Sequence, residues 1–410
     1  MAKKAKKASA AKAAPKTVSA KKPARLKLTN VEGYPSWRIA NKEVEVYLAQ
    51  RGGHLGPATF FRGKESFSPF SVAPWYAEKK AKYVDPLLSL LRGDFFCMPF
   101  GANDKPFGDE RYHCHGETAN NEWKLVEAGV ADENCECGCG GCTFIDTAIT
   151  TKARKAKVEK MVAIRDGEQA IYVCHDISGM SGPMCYGHHA MLKWEKQGAG
   201  LISVSKFKYG QVAPTMFEDP AQGGYQSLKP GAVFTSLSKV PRLDGTTADL
   251  TVYPARLGFE DLVMVCADTG VPFAWSAAVY PEKRMVWFAL KDPKKLASTV
   301  LWHSNRGRHY PPWNGRHIGV LGIEEVTAYF AYGLVDSAKP NLVSKKGIPT
   351  CRSFKANEVF SIPYIMAAAR IPAGFDHVQS IDPVKNGTVR LTSKSGKKVN
   401  AKVAWGFLQD

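Results

Sequence analysis

A chain of 410 residues, 44% hydrophobic and 23% charged, can bury a large core as one big all-β domain or two ordinary ones, and is too balanced to be disordered. No run approaches the roughly 18 apolar residues of a membrane span, and Met1-Ala2-Lys3-Lys4-Ala5-Lys6 lacks the apolar stretch of a secretory signal, so a cytoplasmic protein without a membrane partner is expected. Of the net charge of +18, ten units come from the Lys and Arg of residues 1–27, which hold no acid; the rest of the chain carries only +8.

Residues 1–27 are mostly Ala, Lys, Pro and Ser with almost nothing to pack, which reads as a disordered tail. Such a tail contacts polyanions nonspecifically and in a salt-dependent way, or only keeps the chain soluble. From 28 to 410 no linker stands out, and a single β domain is expected. Short alternating or apolar runs recur at Glu43–Leu48, Lys157–Ile164, Ala170–His175, Leu201–Tyr209, Met285–Leu290 and Thr388–Thr392. Turn residues punctuate them, with 36 Gly and 25 Pro in the chain. This pattern predicts a large antiparallel sandwich or barrel. Helical periodicity is confined to Asp85–Leu91 and Asp292–Ser298. Residues 375–410 read as a possible terminal hairpin with its turn at Lys394-Ser395-Gly396-Lys397.

Three polar clusters interrupt apolar strands. In the first, Phe95-Phe96-Cys97-Met98-Pro99-Phe100 leads through a loop to His115-Gly116, Asn121 and Trp123. An indole that stacks on sugar C–H surfaces, beside Asn, His and Arg92 for the hydroxyls, suits a carbohydrate pocket; a loop histidine beside an ordinary core Trp is the other reading. In the second, Gly187-His188-His189 follows the strand pair Val158–Ile164 and Ala170–Ser178. Adjacent strand residues point to opposite faces, so at most one of these imidazoles enters a given pocket. The third runs from Trp302 to Trp313, with Arg306 and Arg308, then past Arg316 into Ile323-Glu324-Glu325-Val326. Here again one carboxylate faces each way. A buried carboxyl among apolar neighbours must find partners or take up a proton, which makes this the best general-base candidate.

Ten cysteines without a secretory signal argue against a disulfide framework, and Cys97, Cys174, Cys185 and Cys266 read as small core hydrophobes. Cys135, Cys137, Cys139 and Cys142 crowd one glycine-rich loop. Four thiols could hold a soft metal, with His113 and Cys114 nearby if the loops meet. Only Cys139 and Cys142 have CxxC spacing, however, so a plain insertion without an obligatory metal is expected.

Taken in order, these segments resemble the aldose 1-epimerase (galactose mutarotase-like) superfamily, a β-supersandwich. The resemblance spans roughly residues 35–370. It rests on the Gly-Gly turn Arg51-Gly52-Gly53-His54, the strand end Met98-Pro99-Phe100-Gly101, the loop His115-Gly116 leading to Trp123, the strand pair from Lys157 to His189, and Gly322-Ile323-Glu324. His189 is followed by Ala190-Met191 where relatives carry Pro or Thr and an aromatic, and Glu325 stands where many have Pro. The resemblance implies an isomerase that interconverts sugar anomers without a cofactor. Glu324 would be the base, His189 (or His188) the acid and His115 the second imidazole, with Arg92, Asn121, Trp123 and His188 as substrate-binding candidates. The substrate would be a monosaccharide or, given Arg306, Arg308 and Arg316, a sugar phosphate or acidic sugar. The alternative is a non-catalytic carbohydrate- or polyanion-binding protein on the same fold.

Overall fold

Two large antiparallel sheets face each other across a core that is mostly apolar. The computed structural model describes residues 26–78, 83, 85–131, 141–385 and 387–409. Strands make up 48% and helices 7%, which fixes the class as all-β. Residues 1–25 of the expected tail, and Cys135, Cys137 and Cys139, lie outside the described residues.

The nine-stranded sheet runs, edge to edge, through Val252–Tyr253, Gly200–Val204, Ala274–Tyr280, Met285–Lys291, Val359–Arg370, Ala170–Ser178, Ala156–Arg165, Cys142–Thr151 and Lys124–Ala131. The second sheet is built around Phe259–Ala267, Ser298–Asn305 and Val320–Thr327, with Tyr186–His188, Ala190–Lys193 and Phe96–Cys97 along the last of these. Every residue of Met285–Lys291, Ser298–Asn305 and Val320–Thr327 is buried. An antiparallel sheet with one wet face alternates apolar and polar residues. These strands do not, because both their faces are covered.

The second cover of the nine-stranded sheet comes from the C-terminus. Val378–Val384, Thr388–Ser393 and Lys398–Lys402 form a three-stranded sheet, the last two strands joined across Lys394–Lys397. Its Ile381, Val389 and Leu391 share a core with Val286, Phe288 and Leu290. At the other end of the chain, Thr29–Val31, Tyr34–Ala40, Val44–Ala49 and Leu55–Phe60 make a four-stranded sheet. Among the described residues no helix is long and apolar enough to cross a membrane.

Two local expectations are corrected. The run Leu201–Tyr209 is not one strand: Gly200–Val204 belongs to the nine-stranded sheet and Phe207–Val212 to the other. The chain crosses at Ser205, whose N–H and Oγ bond the Trp275 backbone. Asp292–Ser298 is a single turn closed on the Asp292 carbonyl, because Ser298 is already paired with Val326 in a sheet. The Asp85–Leu91 expectation contains a real helix, Leu87–Leu90.

Candidate functional site

Register decides which member of each polar pair faces which way. Val320–Thr327 pairs with the two short strands beside it at Gly187↔Val326 and Ala190↔Ile323, a single continuous register. That register sets His189 opposite Glu324 and His188 opposite Glu325. Side chains alternate across a strand, so His189 and Glu324 share one face and His188 and Glu325 the other. The contacts agree: His189 Nε2 lies 3.2 Å from Glu324 Oε1. Glu325 instead meets Lys291 of the opposing sheet, with Ser276 Oγ and Thr299 Oγ1 each donating at 2.6 Å. His188 Nδ1 bonds Asp94 Oδ2 at 2.9 Å, and its ring packs on Tyr364 in the sandwich interior.

His189 and Glu324 open onto a cavity of about 160 Å³, walled also by His115, Trp302, Arg308 and Trp313. A cavity near 150 Å³ holds one benzene, so this one is the size of a single six-membered ring. His115 reaches it from the left-handed residue (φ 60°) that starts the helix Gly116–Asn120. The next residue must be glycine, because a Cβ at Gly116 would sit 2.0 Å from the Met98 carbonyl oxygen. The Gly101 N–H donates to His115 Nδ1 at 3.3 Å, so in the neutral ring the proton sits on Nε2. The His115 and His189 rings meet edge to face at 5.0 Å, and Phe95 stacks on His189 at 4.6 Å.

Burial dominates the electrostatics. It drives Glu324 well above the usual carboxyl range, with Arg308 pulling the other way. It holds His115 down at about 3. It pushes His189 well below an ordinary imidazole, and the neighbouring His115 adds to that. Each member of the pair is therefore pressed toward its neutral form. Arg308 donates through Nε to Glu218 Oε1 at 2.6 Å, and its guanidinium lies over Trp313 at 4.5 Å. The cation in the wall is thus already matched by a carboxylate.

Three of the predicted site residues meet here and the rest do not. Arg92 is fully buried elsewhere, donating to the Leu90, Val31 and Glu32 carbonyls. Trp123 is core, its Nε1 donating to the Thr118 carbonyl at 2.9 Å. Asn121 is exposed in a separate surface groove with Arg51, Lys124 and Lys152. The short helix after His115 turns the chain away from the cavity, which separates Asn121 and Trp123 from it. His188 belongs to the interior face. Arg316 is spent on Glu78 and the Pro312 carbonyl, and Arg306 is exposed. Cys142 is buried in a strand, while Cys114 lines the cavity. Among the described residues no group of three or more His, Cys, Asp or Glu could hold a metal. Sequence reasoning missed Phe217 and Leu262, which line the cavity, and Glu218, which pairs with Arg308. The density of aromatic and basic residues from Trp302 to Trp313 pointed to that wall, but nothing marked Glu218.

No protein-family model matches the chain, and no curated protein matches it in sequence. In structure it is similar to a candidate aldose 1-epimerase from Klebsiella pneumoniae subsp. pneumoniae MGH 78578, with TM-score 0.55 and 15% identity over 84% of this chain and 82% of that one. It is also similar to a candidate aldose 1-epimerase from Escherichia coli K12, with TM-score 0.53 and 8% identity over 82% of this chain and 99% of the other. The Slr1438 protein of Synechocystis sp. PCC 6803 matches with TM-score 0.50 and 11% identity over 87% and 100% of the two chains. At these identities the likeness is one of fold. The chain has the aldose 1-epimerase-like, galactose mutarotase-like β-sandwich.

Proposed function

We propose that this protein is an aldose 1-epimerase-like isomerase, with residues 28–410 as one β domain, that interconverts the anomers of a free monosaccharide. The observation that carries the reading is the buried His189–Glu324 pair, 3.2 Å apart, at the wall of a cavity the size of one sugar ring. Anomer exchange needs one group to take a proton from the anomeric O1 and another to give one to the ring oxygen. Both oxygens are attached to the same carbon, so a base and an acid in contact at the cavity wall can each serve one of them.

Glu324 takes the O1 proton while the His189 imidazolium delivers its Nε2 proton to the ring oxygen. The bond from the anomeric carbon to the ring oxygen breaks, leaving an aldehyde, a new hydroxyl and a neutral Glu–His pair. Rotation about the C1–C2 bond and the reverse transfers close the ring on the other anomer. Burial favours the neutral pair, and Arg308 opposes it at Glu324. His115, with its proton on Nε2, donates to a sugar hydroxyl or to the ring oxygen. No step calls for a cofactor.

Charge accounting favours a neutral aldose over a phosphorylated one. Arg306 and Arg316 are absent from the cavity wall, and Arg308 is paired with Glu218. Polarimetry or NMR exchange on a panel of free and phosphorylated aldoses tests this. Acceleration with neutral aldoses is expected, falling by roughly 10²–10⁴-fold in Glu324→Gln. Tight binding of a sugar without acceleration would replace the isomerase with the non-catalytic binding protein.

A further inference from the structure

Behind the cavity lies a second buried carboxyl that the exchange reaction does not use. Glu260, on the strand Phe259–Ala267, is fully buried and paired in register with Ser304. Its Oε2 accepts from Trp302 Nε1 at 2.9 Å. Its Oε1 accepts from the Gly307 N–H at 3.2 Å and lies 2.8 Å from Ser304 Oγ. Ser304 Oγ is in turn 2.6 Å from His317 Nδ1, and the His317 ring stacks on Trp302 with centroids 5.4 Å apart and planes 19° apart. Gly307 presses directly on the glutamate, since a Cβ there would come within 2.3 Å of the Glu260 nitrogen. The residue after it is Arg308.

We propose that Glu260 is a positioning residue of the cavity: one carboxyl clamps the Trp302 indole and the Gly307 N–H next to Arg308, and Trp302 and Arg308 form one wall of the site. The proposal rests on the reading of that cavity as the sugar site. Glu260 is not a catalytic residue, because its oxygens are occupied by protein donors and it does not line the cavity.

The hydrogen bonds allow two balanced states. With Glu260 protonated, its O–H bonds Ser304 Oγ, the serine hydrogen turns to His317 Nδ1, and His317 carries its proton on Nε2. With Glu260 ionised, the serine donates to the carboxylate, His317 Nδ1–H donates to the serine, and Nε2 is bare. One proton has left, by way of His317 Nε2, an atom buried without a hydrogen-bond partner among the described residues. Burial lifts Glu260 to about 8, Glu218 adds to the rise, and Arg308, Ser304 and Trp302 oppose it. His317, Tyr253 and Tyr310 are the other titratable groups that face it.

The indole N–H of Trp302 reports the clamp directly. In ¹H–¹⁵N spectra of the full chain, with the resonance assigned through Trp302→Phe, we expect this signal to titrate with a midpoint near 8 and to stop titrating in Glu260→Gln. A Trp302 indole hydrogen that exchanges with solvent in the wild type as fast as an exposed indole's, or a signal that titrates unchanged in Glu260→Gln, overturns the proposal. The wild-type exchange measurement needs no folded Glu260 variant. The coupling to sugar is read separately, as a rise in KM of about tenfold in Glu260→Gln with kcat changed by less than about threefold. An unchanged KM alongside measurable exchange would also overturn it. No exchange with any aldose, alongside a normal indole titration, would remove the isomerase and leave the clamp standing.

Discussion

Glu324 and Glu325 are chemically identical neighbours, and the fold gives them opposite tasks, so substituting each in turn tests that assignment. Glu325→Ala removes the acceptor of two buried hydroxyls and the counter-ion of Lys291. The Lys291 ammonium keeps the Ser298 carbonyl at 2.7 Å and Thr299 Oγ1 at 2.9 Å, but both of those are neutral. The pair is buried, at 2% and 1% side-chain exposure. Breaking such a pair from one side costs about 3–5 kcal/mol, a large part of the 5–15 kcal/mol that typically separates a fold from its unfolded chain. Glu324→Gln keeps the shape, disturbs only His189, and removes a carboxyl that burial already disfavours. Its cost should be about 1 kcal/mol or less, or slightly negative. Equilibrium urea unfolding at neutral pH, extrapolated linearly to water, measures both. The Glu325→Ala deficit should also shrink toward high pH. Burial lowers Lys291, and the lone amine can shed its proton in the fold while the unfolded chain still holds it. A Glu325→Ala protein within about 1 kcal/mol of the wild type, or equal losses from the two variants, would refute the two-faced reading of this strand.

Acid should unfold the protein earlier than its acidic residues alone would. His54, His115 and His317 are held near 3 by burial, and His175, His189 and His303 well below 6.5. Their folded pKa values lie below the unfolded ones, so stability is lost as pH falls below about 6.5. The raised carboxyls of Asp146, Glu168, Glu260 and Glu324 return part of it. With about two protons in net excess on the unfolded side, the loss should approach 3 kcal/mol per pH unit. Urea midpoints at pH 7, 6 and 5 check this, and a flat series would mean that these imidazoles titrate freely in the fold. Asp94 holds the His188 ring through one oxygen and the His189 N–H, at 3.1 Å, through the other. Asp94→Asn should therefore cost about 1.5–3 kcal/mol and slow anomer exchange by loosening His189. An exchange rate unchanged despite that loss of stability would show that His189 needs no such anchor.

The sheets were legible because turn residues cut the chain into strand-length runs. What escaped was local and energetic. Leu201–Tyr209 reads as one strand because its pattern is continuous, and only the bonds of Ser205 to Trp275 show the chain changing sheets. Asp292–Ser298 has helical spacing, but Ser298 gains more from pairing with Val326 than one further helical turn would provide. For the site, polar residues stranded in apolar runs were visible, and His115, His189 and Glu324 do meet in one cavity. Asn121 and Trp123 were grouped with His115 because they follow it closely in sequence, and one helical turn carries them elsewhere; Arg92, upstream of it, is held by the Leu90, Val31 and Glu32 carbonyls. Glu218 and Glu260 carry no signal at all, since a single acid in a loop or at a strand start looks like any surface residue until its partners are known.

The tandem identities at 188–189 and 324–325 bear on how this gene can change length. Losing one codon inside the strand Val320–Thr327 shifts every later side chain to the opposite face. In most strands such a loss exchanges a useful residue for an unrelated one. Here a slip in one direction would bring Glu325 to the cavity and leave Val326 facing Lys291. A slip in the other would keep a carboxylate for Lys291 and bring Ile323 to the cavity. Either way one of the two carboxylates finds a twin in its place and the other is lost. A one-residue change of length ahead of either pair therefore costs one of its two duties, and a two-residue change restores the faces but moves the pair along the strand from its partners.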